Sequence, residues 1–158
     1  MLTQKLVQEK LNYDELTGIL TRKGISSRKV GTIDNHGYIR LFVNNKRYRA
    51  HRVIFLYVNG FLPEYIDHID GDRLNNKIEN LRACTISNNQ QNKKINSNNK
   101  SGIKGVSWHK ATNKWRASLT FDGMCRHIGV FKRIEDAENA VRECRIKNHG
   151  EFCNHGSK

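Results

Sequence analysis

Apolar and polar residues alternate through "GYIRLFV" at 37–43, pause at "NNK", 44–46, and resume in "RYRAHRV". A period of two predicts strands, and the short asparagine-bearing break predicts a β-hairpin. One face would carry Ile39, Leu41 and Val43, the other Tyr38, Arg40 and Phe42. Neither face is cleanly apolar, so one is expected to meet a ligand or another element. Residues 13–30, "YDELTGILTRKGISSRKV", read as an earlier short hairpin and its surroundings. "HRVIFLYVNG" at 51–60 reads as a short helix stopped by Asn59-Gly60, with Val53, Ile54, Tyr57 and Val58 on its buried face. Its β-branched and aromatic content would also suit a strand. Leu62-Pro63 then breaks the element.

The segment 85–94, "TISNNQQNKK", fits a polar helix capped by Thr85, with Lys93 and Lys94 at the favourable end of its dipole. "INSNNKSG" at 95–102 has linker composition, and the domain boundary is placed there. Three strands are expected next, at 103–110, 114–122 and 124–131, with "ATN" and "DG" as turns. Residues 133–150 form the clearest helical pattern. Acids crowd its start, Lys147 lies near its end, and Ala137, Ala140, Val141 and Cys144 recur at three- and four-residue spacing. The second half is therefore expected to be three antiparallel strands covered by one helix. The tail 151–158 is expected to be flexible.

The chain has 158 residues, which suits one domain or two small ones of roughly 50–90 residues. Lys and Arg total 28 against 15 acids, a net charge of +13, and such a field attracts a polyanion. From 93 to 133 there are ten Lys or Arg and one acid, Asp122. The basic residues are spread over strand-like and loop segments rather than along one amphipathic helix, which favours nucleic acid over a membrane surface. No apolar stretch approaches the roughly 18 residues a membrane span needs, and the start lacks an apolar signal core. The four cysteines form no CxxC pair, so an intracellular, reduced chain is expected. Cys144, His149, Cys153 and His155 are zinc-ligand types, but without a CxxC-like turn Cys144 is read as helix core.

The chemistry concentrates in "DHIDGDRLNNKIENLRACTISNN", 67–89. Phosphodiester hydrolysis needs a cation on the phosphate oxygens and a base for the water. His68 can be that base near neutral pH. Asp67 offers a hard oxygen to a divalent ion and, in an extended segment, points to the opposite face from His68. A second ligand has to come from elsewhere, and Asn89 offers an amide oxygen. One carboxylate and one amide leave an ion open to water, which suits Mg2+, with Mn2+ as the other choice. Asn80 can bond backbone groups across the loop and lock the His68 strand, with Leu74, Ile78 and Leu81 as an apolar anchor. Singly, each feature is ordinary: Asp-His occurs in surface turns, and "DGD" at 70–72 is turn chemistry or an incomplete calcium loop.

As a set, "AHRVIFLYVNGFLPEYIDHIDGDRLNNKIENLRACTISNNQQNK" at 50–93 resembles the HNH homing endonucleases often encoded in phage genomes and introns. "YDELTGIL" and "NHGYIRL" resemble that family's leading segment. The resemblance implies a ββα-metal nuclease domain over 1–94. It makes His68 the general base, Asp67 and Asn89 the metal ligands, and Asn80 structural. The last position is Asn89 where many relatives have His. Arg49, Arg52 and Arg82 are candidates to hold the DNA backbone. A nuclease encoded by a phage would work in the host cytoplasm.

Residues 103–150 resemble the AP2 DNA-binding domain through "KGV", "KWRASL", "IGVF" and "EDAENAV". The resemblance implies a sheet that enters the major groove, with Trp108, Lys110, Lys114, Arg116 and Arg126 as DNA-facing candidates, while strand alternation sets Val106, Leu119, Ile128 and Val130 toward the helix. Arg116 and Arg126 could read guanine edges or hold phosphates. The expected whole is an α+β protein that binds double-stranded DNA and, with a divalent metal, nicks one strand per active site. The rival is a DNA-binding regulator with an inactive HNH domain. Monomer and homodimer both remain open.

Overall fold

A computed structural model describes residues 1–24, 29–92 and 95–156. The chain divides into two units, Met1–Cys84 and Thr85–Lys158. This division falls ahead of the polar helix, whereas the linker composition at 95–102 had suggested a boundary behind it.

The first unit begins with a helix, α1 (Gln4–Lys10), capped by the Thr3 hydroxyl, which accepts from Leu6 N at 3.3 Å. The hairpin β1 (Leu11–Asp14) and β2 (Ile19–Arg22) follows. A three-stranded sheet has the order β3 (Thr32–Ile33), β4 (Ile39–Val43), β5 (Lys46–Arg49). Asn44 and Asn45 turn β4 into β5 with φ of 46° and 60°, the left-handed pair that a two-residue hairpin loop requires. Helix α2 (Ala50–Asn59) ends on Gly60 at φ 78°, as the Asn-Gly signal predicted. The strands β6 (Tyr65–His68) and β7 (Leu81–Cys84) pair antiparallel.

The core of this unit joins Val7, Leu11, Leu20, Leu41, Val43, Val53, Ile54, Phe55, Leu56, Ile66 and Leu81. The period-two reading of 37–43 therefore placed the inward face of the hairpin correctly at Leu41 and Val43. On α2 the buried arc is wider than expected. Ala50, His51, Phe55 and Leu56 join Val53 and Ile54, while Val58 is exposed. The cause is α1, whose Gln4 and Gln8 amides both donate to the Tyr57 carbonyl and hold a second element against α2.

The second unit starts with α3 (Ile86–Gln91), capped by the Thr85 hydroxyl accepting from Asn88 N at 3.2 Å. Lys93 and Lys94 lie outside the described residues. The strands β8 (Val106–His109), β9 (Lys114–Phe121) and β10 (Met124–Phe131) form a meander in the order β10-β9-β8. Helix α4 (Ile134–His149) packs Ala137 and Val141 on Val106 and Ala117. Cys144 is only half-buried, and the arc ends instead on buried Arg145 and His149. Among the described residues of the tail, 151–156, Phe152 is buried and the Asn154 amide donates to the Asn92 carbonyl at 2.9 Å.

Ile54 is fully buried at the centre of the first core. Ile54→Ala should cost about 2–5 kcal/mol, read as a lower urea midpoint at unchanged denaturant slope.

Candidate functional site

The β6–β7 ladder sets Asp67 opposite Arg82 and His68 opposite Leu81. Directly opposed residues share a face of a sheet. Asp67 Oδ2 accordingly accepts from Arg82 Nε at 3.2 Å and Nη2 at 3.0 Å, with both side chains largely buried. Arg82, expected to face DNA, instead holds the carboxylate expected to face a metal.

His68 is 5% exposed and lies on the other face of the strand. Its Nε2 meets Asn76 Oδ1 at 3.1 Å. The Asn76 Nδ2 is given to the Leu74 carbonyl at 3.3 Å, which leaves Oδ1 as the acceptor. The ring therefore donates from Nε2 and keeps its lone pair on Nδ1. Burial pushes the imidazole below its ordinary value, against the opposing influence of the Asn76 bond and of Asp70, Asp67 and Asp72. A neutral imidazole near pH 7 can accept a proton.

Three rings cluster here. His51 lies edge-on to His68 with centroids 5.1 Å apart, and Tyr38 lies 5.3 Å from His51 and 6.1 Å from His68. The guanidinium groups of Arg49 and Arg73 sit 4.2 and 4.9 Å from the Tyr38 ring centroid, within cation–π range. His51 is pushed down to about 3 by burial, with His68, Arg49 and Arg52 adding to the effect. It is a neutral aromatic spacer, and nothing in the sequence set it apart from any other histidine on a buried helix face.

The loop after β6 is organised by Asn80. Its side chain accepts from Asp70 N at 3.0 Å and donates to Asp70 Oδ1 at 2.9 Å and to the Asn75 carbonyl at 2.8 Å. The "DGD" segment is turn chemistry: Asp70 accepts from Asp72 N and Asp72 accepts from Leu74 N. Leu74, expected in an apolar anchor, is exposed, and Leu81 alone of that trio is buried. The first hairpin braces the loop from outside. Tyr13 Oη donates to the Asn76 carbonyl at 3.3 Å and accepts from Ile78 N at 2.8 Å. Gly18 at φ 70° lies so close that a Cβ there would stand 2.6 Å from Lys77 N.

Among the other expected residues, Arg49 stacks on Tyr38 as described. Arg52 donates to the Glu64 and Pro63 carbonyls at 3.0 and 3.2 Å, clamping the chain behind α2. Asn89 belongs to the second unit, half-buried on α3. Among the described residues no three His, Cys, Asp or Glu side chains gather as a metal cluster. This includes the C-terminal set, where His149 Nε2 meets the Thr120 carbonyl and His155 lies between Arg145 and Cys153. The donor types near His68 are hard oxygens of carboxylate and amide. They fit a divalent ion that keeps part of its water shell, not a soft metal.

In the second unit the register sorts the basic residues by face. Ser107 opposes Arg116 and His109 opposes Lys114, on the face away from α4. Trp108 opposes Trp115, with ring centroids 5.0 Å apart, and so shares the helix-covered face of Val106 and Ala117. Arg126 opposes Leu119 on that same face, with its guanidinium 4.6 Å from the Phe121 ring centroid. A register shift between His127 and Gly129 then puts Val130 opposite Arg116, on the open face and exposed. Lys110, in the turn after β8, is exposed.

Residues 48–91 match the family model described as HNH endonuclease. The chain is 35% identical over 106 residues to Protein 3.8 of Escherichia phage T7, a match covering 66% of this chain and 87% of that protein. It is also 35% identical over 107 residues to an uncharacterized HNH endonuclease of Acanthamoeba polyphaga mimivirus, covering 66% of this chain and 54% of that one. Among solved structures, that of DNA binding and cleavage by the HNH homing endonuclease I-HmuI aligns with a TM-score of 0.46 at 19% identity, over 94% of this chain and 91% of that one.

The buried His51 makes stability depend on acid. Its imidazole titrates near 3 in the folded chain against 6.5 when exposed. Between these values only the unfolded chain takes up the proton. Stability is thus complete above the higher value and is lost as pH falls toward the lower. By pH 4 the loss should reach about 3 kcal/mol. Urea midpoints at pH 7 and pH 4 test this, and His51→Phe should remove that part of the difference.

Proposed function

The chain belongs to the HNH endonuclease family, and from that premise we propose that it is a metal-dependent endonuclease that hydrolyses phosphodiester bonds of double-stranded DNA, cutting one strand per active site. The observation that carries the reading is the His68–Asn76 pair: a buried imidazole held by a loop amide, one residue from a buried carboxylate, inside the family segment.

In this reading His68 Nδ1 takes a proton from the attacking water, while Asn76 holds the ring and Asn80 holds the loop that carries Asn76. Arg82 orients the Asp67 carboxylate. Asp67, joined by Asn89 as the sequence set implies, would hold a divalent ion, Mg2+ in our proposal. When bound, that ion supplies positive charge to the phosphate oxygens and the departing 3′ oxygen. The second unit supplies DNA affinity in the manner of the AP2 domain it resembles, through the open sheet face with Lys114 and Arg116 and through Lys110. Trp108 and Arg126, though exposed, lie on the other face of the sheet, and in this reading they do not join the base-reading set.

One observation favours the rival, a DNA-binding protein that does not cut: Asp67 is already engaged by Arg82. Supercoiled plasmid with Mg2+ separates the two. The nuclease yields open-circular product that EDTA abolishes and that His68→Ala lowers by about 100-fold or more. Plasmid that is shifted in a gel but stays uncut at any Mg2+ or Mn2+ concentration would establish the rival.

The sheet register gives a second expectation. Arg116→Ala should weaken DNA binding by roughly tenfold and, if it contacts phosphate, lower the salt slope by about one. Arg126→Ala should leave both nearly unchanged. Fluorescence anisotropy over a salt series measures both, and the reverse order would place DNA on the other face.

A further inference from the structure

A cleft of about 640 Å3 lies within the second unit, between α3, the C-terminal half of α4 and the part of β9 that extends past the end of β8. Arg145 lines it and is 1% exposed. Arg145 Nη2 donates to the Lys104 carbonyl at 2.7 Å and Nη1 meets His155 Nδ1 at 3.2 Å, but Nε has no partner. Among the described residues no carboxylate pairs with this guanidinium. His149, also buried, lines the same cleft with Nδ1 unpartnered. Lys104 is the third basic group, its Nζ donating to the Gln91 and Asn154 carbonyls.

A guanidinium cannot shed its proton, and burying one without a counter-charge costs several kcal/mol. Carbonyl oxygens offset part of that cost but bring no negative charge. Burial pushes the Lys104 ammonium down to about 8, with Arg145 adding to the effect, and pushes His149 and Arg145 down as well. The cleft thus holds the Arg145 guanidinium, its Nε left over, and the Lys104 ammonium, bordered by the neutral groups of Ser118, Thr120 and Gln91, while His149, its Nε2 proton given to the Thr120 carbonyl, is a neutral ring with an acceptor at Nδ1. Tetrahedral oxyanions are recognised by this combination of arginine guanidinium, ammonium and neutral donors.

We infer that this cleft binds a phosphate group, with Arg145 as its principal contact. Its volume lies in the range of ligand pockets, about 300–1,000 Å3, and exceeds what a bare anion fills. The phosphate would therefore be an ester, either a backbone phosphate of bound DNA or a free phosphate monoester. The inference does not rest on the nuclease reading, because none of these residues belongs to the His68 site.

The test uses the full chain and inorganic phosphate as the probe, followed by calorimetry at constant ionic strength with chloride as the balancing anion. Wild type should bind phosphate saturably. Arg145→Gln should lower the affinity by at least about tenfold, since it removes a charge-assisted contact. Gln91→Glu, which sets a carboxylate on the cleft wall and leaves every Arg145 bond intact, should lower it by at least about threefold by charge repulsion. If Arg145→Gln fails to fold, Gln91→Glu decides alone. Absence of saturable binding in wild type, or binding that Gln91→Glu leaves unchanged, overturns the inference. Phosphate displaced by saturating duplex DNA identifies the backbone as the natural occupant, and phosphate retained beside DNA identifies a free ester. Both of these results keep the site.

Discussion

An imidazole and a carboxylate buried side by side at the end of β6 must have their polar atoms answered, and that demand organises the first unit. An unanswered buried donor or acceptor costs about 1–3 kcal/mol. His68 is answered by Asn76 across the loop, and Asp67 by Arg82 across the ladder. Asn76 can answer only if the loop holds its shape, which is the work of Asn80 on Asp70 and Asn75. The loop in turn leans on Tyr13 and Gly18 of the first hairpin, more than fifty residues earlier in the chain. The asparagines of 75–80 are therefore inward-facing connectors. Amides suit this task because each carries both a donor and an acceptor without a charge to desolvate.

This network explains what the sequence could and could not reveal. The periodic elements were legible: the 37–49 hairpin, the helix ending at Gly60, the second-unit strands and α4 each follow from hydrophobic period and turn residues. Asn80 was legible as the lock of the loop because its place between the acidic strand end and the polar helix is distinctive. Asn76 was not, since Asn75, Asn76 and Asn80 are chemically alike, and only the path of the loop decides which amide reaches His68. His51 and Tyr38 were missed for a related reason. Their roles come from tertiary stacking, and a strand that ends one element early or late would carry either ring elsewhere. Helix α1 was missed because seven residues give too few turns for a periodic stripe to stand out.

The second unit shows a different limit. Alternation assigns faces correctly only while the register is unbroken, since one inserted residue exchanges the two faces. The shift between His127 and Gly129 is such an insertion. It sends Val130 outward although its neighbours in sequence suggested the core, while Arg126, ahead of the shift, lies on the face opposite Arg116 through its pairing with Leu119. The isolated letters "RHIGV" contain a glycine that permits the irregularity, but a glycine in a strand marks a close approach as often as a bulge.

Net charge has the same kind of limit. The chain carries 28 Lys and Arg against 15 acids, and the sign of that balance argues for a polyanionic partner. The size of the surplus does not measure the contact surface, because several of the arginines are consumed by the fold. Arg40 holds Asp34, Arg52 clamps two carbonyls behind α2, and Arg82 holds Asp67. In each case a planar fork with several donors satisfies oxygens that a small protein, short of regular structure, would otherwise leave bare. The cations that remain on open surface, Lys110, Lys114 and Arg116 among them, are the ones whose charge is still available to a partner. A footprint drawn from composition would include all of these residues, whereas one drawn from hydrogen bonding divides them between holding the protein together and reaching outside it.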